Sequence, residues 1–240
     1  MKIGVYGLGR FGGFWAQALS SFHQVLGYSR TLRSDLPKGV QWCEFQRLGD
    51  QEAVVMSVAI SAMEESLKKL APILKPGALV MDTCSVKAEP AALMRSILPE
   101  TVSIIATHPM FGPDSARNGL KNLPLVMCPV RCSDDVFGYW LENFKTMGLN
   151  VFVMTPEEHD REAAYTQGIT HFIGRVLADM DLKPSSISTL GYSRLLEVMT
   201  QTCNDSLQLF KDLQKRNPYT EKMRADLSAS LAKIMEMLKD

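Results

Sequence analysis

Two short stretches hold residue types able to move a proton. In "THPMFGP" (107–113), one of only four histidines, His108, stands between an apolar run, "VSIIA", and a proline-flanked turn. An imidazole at the carboxyl end of a buried strand can take a proton near neutral pH, or sit in the core with one good hydrogen bond. In "DTCSVK" (82–87), Ser85 places a hydroxyl at the end of another apolar run. Ligands of open α/β sheets sit beyond the carboxyl ends of the strands, so Ser85 and His108 are placed to face one reacting group. Together they suit oxidation of an alcohol, with the imidazole taking or polarising the O–H proton as hydride leaves carbon.

Hydride needs an acceptor, and the first residues supply a place for one. "VYGLGRFG" carries Gly7, Gly9 and Gly12 in G-x-G-x-x-G spacing between a strand and the amphipathic segment "FGGFWAQALSSF". Gly7 permits a tight turn, Gly9 lets a pyrophosphate approach the backbone, and Gly12 lets helix pack on strand. The helix start then offers unpaired N–H groups to phosphate. Leu8, Arg10 and Phe11 complete the expected cofactor loop, with Ser57 at the end of "AVVMSVA" beside it. After the second strand, an NAD site usually has an acid for the ribose hydroxyls. Here "GYSRT" gives Ser29 and Arg30, with no acid before Asp35. A hydroxyl and a guanidinium suit a 2′-phosphate, so the expected cofactor is NADP; the plain alternative is a solvated loop arginine.

These residues require a sheet to hold them. Strand candidates are 2–8, 24–29, 53–59, 78–84, 102–107, 124–130 and 150–155, with helical patterns such as "SAMEESLKKLAPIL" and "EPAALMRSIL" between. Such alternation predicts a Rossmann-type, doubly wound, mostly parallel α/β sheet over 1–155. From 156 to 240 apolar residues recur every three or four positions, predicting an all-helical second domain broken at Leu182–Pro184 and Asn217–Pro218. Its apolar surface implies a homodimer through that domain. Twenty-six basic residues balance 26 acidic ones, so no field favours nucleic acid or an anionic membrane. No apolar run reaches the ~18 residues of a membrane span. The five cysteines lack paired metal spacing, so no metal and reduced thiols are expected. The N-terminus enters the glycine turn without a signal-peptide pattern, which implies a cytoplasmic protein, or a plastid one if a transit peptide was removed.

Four segments, "GLGRFG", "D-x-x-SVK", "THPMFGP" and "EHDREAAYTQGITHFIGR" (158–175), resemble the prephenate/arogenate dehydrogenases of tyrosine biosynthesis, and "GYSRLLEVMTQTCNDSLQLF" is most similar to the plant-type branch. The resemblance implies that His108 takes the ring-hydroxyl proton while Ser85 orients that hydroxyl and the nicotinamide. It also implies that Gln167 and His171, one helical turn apart, reach the substrate. By the same resemblance Asp205 decides between substrates, favouring the ammonium of arogenate over the keto group of prephenate. The alternative for Asp205 is a helix cap, because "NDS" is good helix-start chemistry. His159 is expected to anchor the domain junction and His23 to lie on the surface. Lys87 either touches a substrate carboxylate or caps its turn. Bacterial members carry an arginine for a substrate carboxylate; Arg194 and Arg216 are the candidates here. Prephenate oxidation, a β-hydroxyacid-type reductase and a non-catalytic NADP sensor are the competing readings.

Overall fold

The central apolar runs of the first half are hydrophobic on both faces, the pattern of strands covered by helices on either side. The computed structural model describes residues 1–31 and 35–239. The strands are β1 (Lys2–Tyr6), β2 (Gln24–Tyr28), β3 (Val40–Trp42), β4 (Ala53–Met56), β5 (Leu79–Asp82), β6 (Ser103–Pro109), β7 (Pro124–Arg131) and β8 (Asn150–Val153). They lie in the order β3-β2-β1-β4-β5-β6-β7-β8. All neighbours are parallel except β6 and β7. This is a Rossmann-type doubly wound sheet, and its strand order reverses between β1 and β4, where such folds bind ligands. Every residue of β4 and β5 is buried.

Helices α1 (Arg10–Ser20), α2 (Met63–Leu70), α3 (Ala88–Ile97) and α4 (Asp134–Thr146) flank the sheet. Trp15 of α1 is 1% exposed. Its ring lies 6.2 Å from Phe11, 5.9 Å from Phe111 and 6.1 Å from Phe144. Phe111 belongs to the "PMFGP" turn, so this cluster fastens that turn to α1. His23 departs from its expected surface position: its ring packs 5.7 Å from Trp140, and burial lowers its pKa.

Two features differ from the sequence reading. The three-residue β3 has too few apolar positions to show a period. β6 runs on through His108 to Pro109, since β7 pairs with it there, His108 opposite Val126. His108 is therefore a strand residue and not a loop residue.

The chain divides into two compact units, Met1–Pro156 and Glu157 onward. In the second, α5 (Pro156–Ala163) passes through a π-helical turn (Ala164–Gly168) into α6 (Ile169–Asp179); α7 (Leu190–Asn204), α8 (Leu207–Arg216) and α9 (Thr220–Met237) follow. The long stretch that reads as one helical pattern breaks at Asp205–Ser206. There the Ser206 hydroxyl accepts from Leu209 N–H at 3.1 Å and caps α8. Gly174 lets α7 approach α6, because a Cβ there would stand 2.0 Å from Thr202 Oγ1. Among the described residues no helix is long and apolar enough to cross a membrane.

Candidate active site

In the first unit, the glycine loop lies at the reversal between β1 and β4. Gly7 has φ +107°, and a Cβ on it would fall 2.3 Å from the Ser57 carbonyl oxygen. A Cβ on Gly12 would fall 1.9 Å from the Gly7 oxygen. Gly9 is different: its Cβ would meet no atom within 4 Å. It is also the N-cap of α1 and supplies no capping side chain. Open space over an uncapped helix start is what an approaching phosphate requires, so the loop fits a dinucleotide. Ser57 N–H donates to Tyr6 O at 2.8 Å, and its hydroxyl accepts from Thr83 Oγ1 at 3.2 Å, which fixes it beside the loop.

Three expected cofactor contacts use their side chains elsewhere. Leu8 is 2% exposed and packs over Gly27, Phe11 stacks into the Trp15 cluster, and Arg10 pairs with Asp114 at 2.6 Å. Only their backbones face the loop's task. At the end of β2, Ser29 donates to the Thr31 carbonyl at 2.7 Å. Its proton is thus engaged within the turn, leaving the exposed Arg30 as the group available to an anion. The charge of Arg30 is felt on α2. It helps hold Glu65 below the usual carboxylate range, an effect due first to the Lys69 hydrogen bond.

The ends of β5 and β6 carry the proton-handling pair. Ser85 is 5% exposed and His108 is 3% exposed. The Ser85 Oγ is buried without a hydrogen-bond partner. Lys87 occupies the N-cap position of α3, without a capping side-chain hydrogen bond. It is wholly buried, its ammonium donating to Asp82 and to the Thr107 carbonyl at 2.5 Å. Removing one member of such a pair costs about 3–5 kcal/mol, because the other charge is left buried and unpaired.

In the second unit, Gln167 of the π-helical turn and His171 and Arg175 of α6 follow one another at four-residue spacing. Gln167 Oε1, His171 Nδ1 and Arg175 Nε are each buried without a partner. His171 Nε2 lies 4.0 Å from Asp205 Oδ2. Burial pushes the His171 pKa down; Asp205 opposes this and Arg175 adds to it. Arg175 donates to the Asp205 carbonyl at 2.7 Å and lies over the Phe210 ring at 5.6 Å. Ser206 is the N-cap of α8, and Asp205 is the residue before it. His159 holds Asp160 at 2.8 Å, and Asn217 Nδ2 donates to the Asp160 carbonyl at 2.8 Å, so His159 braces the interior of this unit.

Residues 21–153 match the model of the prephenate dehydrogenase nucleotide-binding domain, and residues 176–240 match the TYRAAT1-like C-terminal domain. The chain belongs to the prephenate dehydrogenase family. Arogenate dehydrogenase 1, chloroplastic, of Arabidopsis thaliana is 36% identical over 231 residues, which are 91% of this chain and 36% of that protein. Arogenate dehydrogenase 2, chloroplastic, of the same plant is 34% identical over 91% of this chain and 64% of its own length. The chain thus spans under two thirds of these relatives. The prephenate dehydrogenase of A. aeolicus, solved with hydroxyphenyl propionate and NAD+, superposes with a TM-score of 0.76 at 19% identity, covering 99% of this chain and 90% of that one. That likeness shows the fold. The family is one of oxidoreductases, and the first unit of this member holds its nucleotide-binding domain.

Sequence reasoning missed two residues of this prephenate dehydrogenase family member. Arg175, and neither the exposed Arg194 nor Arg216, which reaches Asp212 at 3.4 Å, is the arginine beside His171 and Asp205. The 167–171–175 spacing was the signal for it. Asp82 opens "DTCSVK" five residues before Lys87, and that pairing was equally visible.

Proposed function

We propose that the chain catalyses oxidative decarboxylation of L-arogenate to L-tyrosine and carbon dioxide, with NADP reduced to NADPH. The observation that carries this reading is Asp205. Its carboxylate stands 4.0 Å from His171 Nε2, next to buried polar atoms of His171 and Arg175 that lack partners. A carboxylate there suits the arogenate ammonium through a charge-assisted hydrogen bond worth about 1.5–3 kcal/mol. It disfavours prephenate, which presents a keto oxygen at that place.

His108 takes the proton of the ring hydroxyl, and Ser85 Oγ orients that hydroxyl. A bound nicotinamide would supply the hydride acceptor for the carbon that bears this hydroxyl. The ring becomes aromatic as carbon dioxide leaves, so the protein needs mainly to position groups and supply one base. Gln167 and His171 hold the substrate, and Arg175, whose Nε has no internal partner, is its carboxylate anchor. Gly7, Gly9 and Gly12 shape the cradle for the pyrophosphate, and Arg30 meets the 2′-phosphate. The absence of an acid at the end of β2 supports NADP over NAD. In the plant relatives' manner, the site of action is a plastid stroma; without a leader it is the cytoplasm.

The protein acts as a homodimer. Leu231, Ile234, Met235 and Leu238 are 53–76% exposed along one stripe at the end of α9, an apolar face that a second copy would cover.

A matrix of arogenate, prephenate and simple hydroxy acids against NADP and NAD, followed at the absorbance of the reduced nicotinamide, tests the reading. The expected outcome is preference for arogenate with NADP. Preference for prephenate overturns the substrate, preference for NAD overturns the cofactor, and turnover of hydroxy acids or of nothing overturns the reaction.

A further inference from the structure

The ladder between β5 and β6 ends at the pair Met81 and Ile105. Beyond it the strands part. The chain leaves β5 after Asp82 towards Ser85, whereas β6 continues through Thr107 and His108, held on its far edge by β7. On the near edge side chains do the work of a missing strand. Asp82 Oδ1 accepts from Thr107 N–H at 3.0 Å, Lys87 Nζ donates to the Thr107 carbonyl at 2.5 Å, and Thr107 Oγ1 donates to the Asp82 carbonyl. The other Asp82 oxygen accepts from Lys87 and, at 3.0 Å, from Cys84 N–H. Both charged side chains are 0% exposed.

We propose that Asp82 and Lys87 are positioning residues that set Ser85 and His108 relative to one another. The backbone neighbours of both, Cys84 and Thr107, are bonded to the same carboxylate. This inference rests on the reading of Ser85 and His108 as the groups that handle the substrate hydroxyl. Stability alone does not explain a pair so deep in the core, because well-packed apolar residues commonly serve as well or better there. An apolar filler, however, has nothing to offer the N–H and carbonyl of Thr107. Fixed geometry is what the pair adds, and displacement of a reacting group by about 1 Å can cost on the order of 100-fold in rate.

The test uses the full chain with both charges removed at once, Asp82→Asn with Lys87→Met, so that no lone charge is buried. Asparagine keeps an oxygen for Thr107 N–H, whereas the donor to the Thr107 carbonyl is lost. The His108 ring resonances, assigned by their loss in His108→Asn, are compared with wild type, alongside kcat and KM. The expected result is near-native melting, a cofactor KM within about two-fold, kcat lower by about 30-fold or more, and a displaced or split His108 signal. Unchanged kcat with an unchanged His108 signal overturns the proposal. If the double variant does not fold, Asp82→Asn with Lys87→Gln decides. It removes both charges but keeps polar groups in the core, and a native His108 signal with native kcat again overturns the proposal. The resonance requires no turnover, so it decides the positioning role even if wild type oxidises neither arogenate nor prephenate.

Discussion

Ser85 Oγ, Gln167 Oε1, His171 Nδ1 and Arg175 Nε are buried atoms without internal partners, although folded proteins pair nearly all such groups. Ser85 lies on the first unit and the other three on the second, and each is a proposed substrate contact. His108→Asn keeps a hydrogen-bonding group but cannot accept the proton. Its turnover should fall about 10²–10⁴-fold while NADP binding, measured by fluorescence titration, persists. Retention of more than about a tenth of the activity would refute the base. Asp205→Asn preserves shape and supplies a donor for a keto oxygen. It should lose arogenate efficiency by about ten- to hundred-fold and gain measurable prephenate activity. An equal fall for both substrates would make Asp205 structural. His108 and Ser85 were legible because each closes an apolar run. Arg175 was legible only in its spacing from His171, since a sequence shows which arginines exist but not which one is already paired with an acid, as Arg216 is with Asp212.

At the level of elements, the glycine loop separates two jobs that a motif merges. Gly12→Ala puts a methyl 1.9 Å from a backbone oxygen, so the loop must deform, lowering both melting temperature and dinucleotide affinity. Gly9→Ala meets open space. Melting should drop by only the ~1 kcal/mol of a weaker N-cap, while NADP affinity falls further because the methyl occupies the approach. Equal stability losses for the two variants, read by calorimetry, would contradict this division. The long buried strands were legible from apolar runs, and the parallel order followed from alternation with helices. β3 carried no signal, and β7 was visible as a strand but not as an antiparallel one. A three-residue strand has no period, and strand direction depends on a connection whose geometry the sequence does not display. The break between α7 and α8 was half legible, since "NDS" marked a helix start but left open which of its residues caps it.

For the whole molecule, pH and association are the accessible tests. His171 titrates below its ordinary value when folded, chiefly because it is buried, and His23 is lowered too. The unfolded chain binds these protons from about pH 6.5 downward and the folded chain only at lower pH, so stability declines as pH falls through that window. Denaturant midpoints should drop between about pH 7 and pH 5.5, and His171→Gln should flatten part of that slope. An unaltered slope would show that His171 does not contribute. Light scattering should report a dimer for the full chain, and Leu231→Glu with Ile234→Glu should yield monomers. A wild-type monomer would refute the association.

The Trp15 cluster has an optical consequence. An indole that is 1% exposed, between Phe11 of the glycine loop and Phe111 of the "PMFGP" turn, sits in an asymmetric, dry environment shared by both segments. Its near-ultraviolet circular dichroism and its emission colour therefore register the packing of the nucleotide cradle and the proton-handling turn together. Trp15→Phe removes that band and identifies it against Trp42 and Trp140. The protein thus carries its own gauge of whether those two segments are seated on α1, without any attached dye.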